Sequence, residues 1–345
     1  MIKLNFKKDV VDLSMGSGGK SMNRLIDQLM LKAFDNPYLN KKEDQAVLPE
    51  LQGKLAYTTD SYVVSPYFFP GGDIGSLAIH GTVNDLAVSG ATPLYISVGF
   101  ILEEGLPLCD LKKIVTSMAK AAEASGVSIV TGDTKVVEKN KADGIFINTS
   151  GIGVIKPQHQ LIKHAIKKGD KIIINGNLAE HGIAVMSERE NLTFMTQVLS
   201  DSNHLNDLVS DLLSSNRAHI KAMRDPTRGG IAATLNEWAH NYGVSIEIDE
   251  AKLPVSDDVL SACELLGLDP LFIANEGKVL MICDKIEADN VLAKLRSHPK
   301  GSNAQIIAEV TELNDREAPY VAMKTAFGGL RRVDWLSGEQ LPRIC

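Results

Sequence analysis

The sequence predicts an α+β protein built from two mixed α/β domains, and three observations carry that expectation. The chain has 345 residues, 44% of them hydrophobic, enough for two packed cores. Strand-like and helix-like periodicities alternate in both halves. Between the halves the polar stretch "KPQHQLIKHAIKKGD", with Pro157 and a lysine-rich turn, interrupts both periodicities. Domains are therefore expected over 46–156 and 157–326. A glycine-rich segment and helix over 1–45 precede them, and a mobile tail over 327–345 follows.

The elements follow in order. "SMGSGGKSMNRL" leads into a helix carrying Met22, Leu25, Leu29 and Met30 at helical spacing, which "DNPYLN" breaks. Leu55, Tyr57 and Val63 mark strand-like stretches, and a helix from about Gly75 to Ser89 is closed by Gly90 and Pro93. Strand "LYISVGFIL" precedes a helix capped by Asp110, with Leu111, Ile114, Val115, Met118 and Ala122 on one face and Gly126 as its stop. Strand "SIVTG" runs into "DTKVV", and "DGIFINTSGIGVI" follows. The second half restarts with strand "KIIING", helix "LAEHGIAVMSERE" and a polar helical segment over about 203–223. Then come a helix opened by "DPTRGG", strand "SIEI", helix "SDDVLSACELLG", the strand pair "PLFIAN" and "KVLMIC", and a last helix and strand near 286–310. The closing stretch "FGGLRRVDWLSGEQLPRIC" has no sustained period.

Net charge is -7, from 36 basic and 43 acidic residues, and no basic run exceeds two, which argues against a nucleic-acid surface. The first residues lack the apolar core of a signal peptide, and no stretch approaches the ~20 apolar residues of a membrane helix, so a cytoplasmic protein without membrane contact is expected. Cys109, Cys263, Cys283 and Cys345 form no C-x-x-C pair, so structural zinc is not expected. The first three read as small buried hydrophobes. Cys345 does not, because a thiol on the last residue has no following chain to restrain it.

Four aspartates stand where an apolar element ends or where a helix would prefer an apolar residue: Asp60 in "TTDSY", Asp85 in "TVNDLAVSG", Asp133 in "TGDTK" and Asp225 in "RDPTRGG". Oxygen ligands gathered at such junctions suit Mg²⁺ shared with nucleotide phosphates; the same residues would equally serve turns, a helix cap and a solvated face. "MGSGGKSM" offers the amides of Gly16, Gly18 and Gly19 and the charge of Lys20 ahead of a helix, a phosphate cradle or else a flexible linker, without Walker spacing. Lys135, just past an apolar strand, and Glu276, in "ANEGK", read either as acid–base groups at a half-buried rim or as exposed turn charges.

Taken together, "MGSGGKSM", "TTDSYVVSPYFFPGGDIG", "GTVNDLAVSGATPLYISVGFILEEGLP", "VTGDTKVV", "RDPTRGG", "CELLGLDPLFIANEGK" and "LPRIC" resemble the HypE family of hydrogenase maturation proteins over nearly the full length. That family lies within the superfamily of aminoimidazole ribonucleotide synthetase, selenophosphate synthetase and thiamine-monophosphate kinase. The resemblance implies an ATP-dependent carbamoyl dehydratase. The carbamoyltransferase HypF would load Cys345, the thiocarbamate would become a thiocyanate, and a HypC–HypD scaffold would take the cyanide for a [NiFe] hydrogenase. It further implies that Asp60, Asp85 and Asp225 hold Mg²⁺ and ATP, that Asp133 and Thr134 border the same site, and that Gly18, Gly19 and Lys20 fold over the nucleotide. Lys135 and Glu276 would take protons from the carbamoyl nitrogen, and Arg343 would favour the thiolate. A homodimer would form by pairing N-terminal-domain strands into a shared β-barrel. Two rivals remain: a sister selenophosphate synthetase, which would carry a reactive cysteine or selenocysteine near the glycine-rich N-terminus, where this chain has Ser17 and Lys20 flanking Gly18 and Gly19 and no cysteine, and a non-catalytic adaptor, which leaves the aspartates without a purpose.

Overall fold

The computed structural model describes residues 3–161, 166–190, 198–216, 219–313, 318–336, 338 and 341–345, so part of the expected domain boundary, 162–165, lies outside the described residues. After a 3-10 turn at Leu13–Gly16, α1 (Lys20–Leu25) continues through a π-turn into α2 (Leu31–Ala33). The first domain follows: β1 (Lys54–Tyr62), the short β2 (Phe68–Phe69) and β3 (Gly72–Asp73), α3 (Ile74–Val88), β4 (Ala91–Glu103), α4 (Leu108–Ser125), β5 (Ser128–Val137) and β6 (Ile145–Ile155).

Its sheet runs β1-β6-β4-β5, with only β4 and β5 parallel, so β1 and β5 form opposite edges. α3 packs on β1, β6 and β4, and α4 packs beside it. α3 starts where it does because the Asp73 carboxylate accepts the N–H groups of Gly75 (2.8 Å) and Ser76 (3.0 Å), a capping box. α4 differs from expectation: its cap is Pro107, not Asp110. The N–H of Leu108 is satisfied by the Asp9 carbonyl (3.0 Å), which leaves Asp110 free to bond Lys113 (2.9 Å) in the first turn.

The second domain comprises β7 (Lys171–Ile174), α5 (Glu180–Arg189), α6 (Asn206–Asn216), β8 (Ile220–Arg224), α7 (Gly230–Tyr242), β9 (Val244–Asp249), α8 (Asp257–Leu266), β10 (Leu280–Cys283), α9 (Ala288–Arg296), β11 (Gln305–Leu313), β12 (Val321–Lys324) and β13 (Leu330–Arg332). Its sheet order is β13-β12-β9-β11-β7-β10-β8. Alternation along β7 builds two cores. Ile172 and Ile174 pack with Ile183 of α5, Leu235 of α7 and Val259 of α8, whereas Ile173 packs with Leu208 of α6 and Val291 of α9. The sheet is thus the middle of three layers. Ala87 of α3 joins the second of these cores, and Val185, Ala274 and Ile344 join the core of the first domain, so the two domains share a packed interface.

Three expectations need correction. The polar helical segment over 203–223 ends at Asn216, and β8 follows, hidden in the sequence because its buried run includes Lys221. The Lys221 ammonium is buried against both carboxylate oxygens of Asp170, 2.7 Å from each. "PLFIAN" is not a strand: Asp269 accepts the N–H of Leu271 (3.0 Å) and winds Pro270–Phe272 into a 3-10 turn. The stretch after 326 is not a free tail throughout. β13 pairs with β12, Val333 is buried, and residues 341–345 lie against the folded body with Ile344 in its core.

Candidate active site

At the interface between the domains a cavity of about 390 Å³ is lined by Asp60, Asp85, Arg224, Asp225, Arg228, Glu276 and Cys345, among others. Each arrives there for a local reason. In β1 the two-residue alternation turns Thr58, Asp60 and Tyr62 to the helical side, opposite the outward Leu55 and Tyr57. Asp85 lies in the last turns of α3, where its carboxylate accepts a hydrogen bond from the Thr58 hydroxyl (2.7 Å). Asp225 follows β8 directly, in the turn before α7. That turn closes on Gly230, whose φ of +60° and backbone approach to the Leu271 carbonyl (2.5 Å from an added Cβ) leave no room for a side chain.

Glu276 is held by its neighbours. Buried Asn84 of α3 donates to the carbonyls of Asn203 (2.9 Å) and Glu276 (3.1 Å). Asn275 accepts the N–H of Ala179 (2.7 Å) and donates to the Pro226 carbonyl (3.1 Å), tying this turn to the Asp225 loop. The Asp201 carboxylate accepts the N–H groups of Glu276 (3.2 Å) and Gly277 (3.1 Å).

Cys345 reaches the cavity because the last residues pair with the segment after β1. The N–H of Val63 donates to the Cys345 oxygen (3.1 Å) and that of Ser65 to the Arg343 oxygen (3.3 Å). From α5, His181 Nε2 donates to the Ile344 carbonyl (3.0 Å), while Nδ1 accepts from the Ser200 hydroxyl (2.8 Å), which fixes the tautomer.

The electrostatics are those of crowded, desolvated acids. Burial and then Asp85 push the Asp225 carboxyl up to about 7. Asp85 is raised by burial and by Asp60, against the Thr58 hydrogen bond. Glu276 is held well above the carboxylate range by burial, then by Asp225, Asp201, Asp60 and Asp85, and its Oε1 is buried without a hydrogen-bond partner among the described residues. Burial and Glu276 push the Cys345 thiol up to about 12, with Arg228 opposing. Arg343 does not take the role expected of it. Its guanidinium pairs with Asp143, bonds the Val63 carbonyl (3.1 Å) and lies over the Phe146 ring, so Arg228 is the cation that bears on the sulfur.

The structure divides the residues singled out from sequence into two groups. Asp60, Asp85, Asp225, Glu276 and Cys345 meet in one cavity. Asp133, Thr134 and Lys135 lie on β5, with Lys135 exposed and paired to Asp133 (2.9 Å). Three strand spacings separate β5 from β1, roughly 14 Å, so within one chain Lys135 does not join Glu276. The glycine-rich segment lies on the β5 side too: Gly16 packs so closely on Val136 that an added Cβ would fall 2.4 Å from its nitrogen. Gly18 and Gly19 face open space, and Lys20 opens α1. Asp133 and Thr134 line a pocket of about 110 Å³ with Met22, Ile26 and Met30.

The expected metal site also needs qualification. Among the described residues, no three histidines, cysteines or carboxylates are grouped closely enough to hold a metal ion, so Asp60, Asp85 and Asp225 do not form a ready cage. Their mutual repulsion still marks a place where a cation is favoured, and Mg²⁺ commonly completes its shell with phosphate oxygens and water. The donor set therefore fits a magnesium ion shared with a nucleotide. Sequence reasoning missed Arg228, Asn84, Asn275 and Asp201. Only Arg228, in "DPTRGG", stood in a stretch already marked; the others act through backbone contacts to distant segments.

Comparisons with known proteins agree with this architecture. Residues 42–155 match the family "AIR synthase related protein, N-terminal domain", and residues 167–319 match "AIR synthase related protein, C-terminal domain". The chain is 52% identical over 343 residues to the carbamoyl dehydratase HypE of Rhizobium leguminosarum bv. viciae, covering 99% of this chain and 97% of that protein. A crystal structure of a hydrogenase maturation protein HypE in complex with ATP superposes with a TM-score of 0.91 at 48% identity, over 96% of this chain and 99% of that one. A HypE chain from a HypE–HypF complex superposes at 0.78 with 49% identity, over 90% of this chain and 99% of that one. Among the described residues no helix is long and apolar enough to cross a membrane. The chain belongs to the HypE family of carbamoyl dehydratases, hydrogenase maturation enzymes built from two AIR-synthase-type domains.

Proposed function

We propose that the chain removes water from an S-carbamoyl group carried on Cys345, making the thiocyanate that supplies cyanide to a [NiFe] hydrogenase, with ATP consumed. The observation that carries this reading is the seating of the Cys345 thiol in one cavity with Asp60, Asp85, Asp225 and Glu276. The overall change balances: Cys345–S–C(=O)–NH₂ and ATP give Cys345–S–C≡N, ADP and phosphate. The carbamoyl oxygen departs within phosphate, and the two N–H protons pass to bases. Asp60, Asp85 and Asp225 would hold magnesium and ATP, which would supply the phosphoryl group that lets phosphate leave in place of oxide.

The residues of this chain then have separable tasks. The backbone pairing of 343–345 with 63–65 positions the sulfur. Arg224 and Arg228 offset the negative charge around it. Burial and four neighbouring acids hold the Glu276 carboxyl well above its usual range; compensation of that charge by a bound cation would lower it toward the range of a base.

Lys135 and the glycine-rich segment enter through a second copy. β1 and β5 are the two edges of the first domain's sheet, and Leu55 and Tyr57 of β1 are exposed. In a homodimer that joins these edges, the β5 group of one chain, Gly18, Gly19, Lys20, Asp133, Thr134 and Lys135, meets the carboxylate cavity of the other. HypF as the loading partner, by likeness to the HypE–HypF complex, and a HypC–HypD scaffold as the receiver complete the proposal. The test is to carbamoylate the protein with HypF, add MgATP and weigh the C-terminal peptide. Loss of one water from Cys345, absent in Cys345→Ala, is expected; a persistent thiocarbamate overturns the reading.

A further inference from the structure

The function just proposed uses the acids of the cavity but leaves unused a second set of groups, the side chains of α5 that face the C-terminal segment. Arg189, in the last turn of α5, directs all three of its guanidinium nitrogens to main-chain oxygens, with NH1 also 3.7 Å from the Met186 sulfur. Nε and NH2 donate to the Ser65 carbonyl (2.8 and 2.6 Å), NH1 to that of Pro342 (2.7 Å) and NH2 also to that of Arg343 (2.8 Å). Ser65 belongs to the first domain, Arg189 to the second and 342–343 to the terminal segment, so one guanidinium joins three separate parts of the chain. Four donations in one plane are within reach of arginine but not of lysine, whose three donors radiate from a single nitrogen.

We infer that Arg189 is a positioning residue, a clamp that grips the backbone of 342–343 and thereby sets how long Cys345 stays beside the carboxylates. It touches neither the sulfur nor the acids. The same segment is also held by the pairings with Val63 and Ser65, the His181 bond to Ile344, the burial of Ile344 and the Arg343 contacts with Asp143, the Val63 carbonyl and Phe146; among these fastenings Arg189 is the one that ties the backbone of 342–343 to α5. The consequence for dehydration rests on the proposed function, but the clamp itself does not. Loosening it should expose the thiol to reagents whether or not the chain dehydrates anything.

The experiment uses the full chain and iodoacetamide at pH 8, with alkylation followed by peptide mass. In Arg189→Ala, Cys345 should react about tenfold faster or more than in the parent, as expected for loss of several charge-assisted bonds. The buried Cys263 and Cys283 should stay unreactive, which certifies the fold. Arg189→Lys should fall between, since charge remains and the fork is lost; if Arg189→Ala also exposes Cys263 and Cys283, this variant decides. An unchanged Cys345 rate in Arg189→Ala, or parent-like protection in Arg189→Lys, overturns the clamp. A second arm separates the two readings: after HypF loading, Arg189→Ala should accept carbamoyl at least as fast as the parent yet lose water several-fold more slowly. If the parent itself loses no water, the proposed reaction fails while the alkylation result still stands for or against the clamp.

Discussion

The Lys278 ammonium stands 3.0 Å from the Asp201 carboxylate, with side chains only 9% and 1% exposed. Burial alone would raise Asp201; Lys278 and His181 outweigh it and hold the carboxyl below its usual range. The same carboxylate accepts the N–H groups of Glu276 and Gly277, so this ion pair anchors the turn that carries Glu276 into the cavity.

Asp201→Asn should therefore cost about 3 kcal/mol, the scale for removing one partner of a buried pair, even though Glu180 remains 3.2 Å from Lys278. The sign with pH is fixed. A depressed carboxyl contributes fully above the unfolded value of about 3.9 and loses that contribution as pH falls through the lower folded value. Urea unfolding at pH 7 should show the gap between variant and parent, and at strongly acidic pH it should narrow; equal midpoints at pH 7 would refute the anchoring role.

Asp225 behaves in the opposite sense. Its carboxyl is raised to about 7, so the folded state holds a proton that the unfolded chain has released above about 4. The resulting penalty is absent below the unfolded value and complete above the folded one. Asp225→Asn should accordingly gain on the order of 2 kcal/mol at pH 8 and nothing at pH 3.5, while losing ATP-dependent activity. Thermal melts at the two pH values check this, and a variant less stable at pH 8 than the parent would contradict the crowding of acids described above.

Glu276→Gln keeps the shape of the side chain and removes the ionisable group, whose carboxyl burial and neighbouring acids already hold well above its usual range. Stability should change by less than about 1 kcal/mol. Nucleotide binding, read by calorimetry, should persist, and loss of water from carbamoyl-Cys345 should stall by at least about 100-fold, the lower range for a proton-transfer group. Normal thiocyanate formation would remove Glu276 from the chemistry.

A site divided between two sheet edges has a signature in mixed dimers. Lys135→Ala and Glu276→Gln subunits would each be inactive alone. Mixed at equal amounts, half the dimers would pair one of each, and each such dimer would contain one intact site. Activity should return to about a quarter of the parent, as twofold symmetry requires. No recovery after verified subunit exchange would place Lys135 and Glu276 in the same chain's site or outside it.

How far the site could be read from sequence differs residue by residue. Asp60 was legible because it is an acid near the end of an alternating strand, and Asp225 because it sits between a strand and a glycine-opened helix. The alternation of strands and helices was legible for the same reason, as hydrophobic period registers which face is covered. β8 escaped because a buried lysine looks like surface until its partner, Asp170, is found 51 residues away. Asn84 and Asn275 escaped because their work is done on backbone atoms brought in from far along the chain. The placement of Lys135 away from Glu276 depends on strand order, β1-β6-β4-β5, which periodicity does not encode.

The docked position of Cys345 has a chemical side effect. A sulfur held at a proton affinity near 12 is almost never an anion at neutral pH, and peroxide or a passing disulfide attacks the anion. Parking between turnovers would thus shelter the group from sulfenic acid formation, so that resistance to oxidants and readiness for transfer belong to different postures of the same few residues.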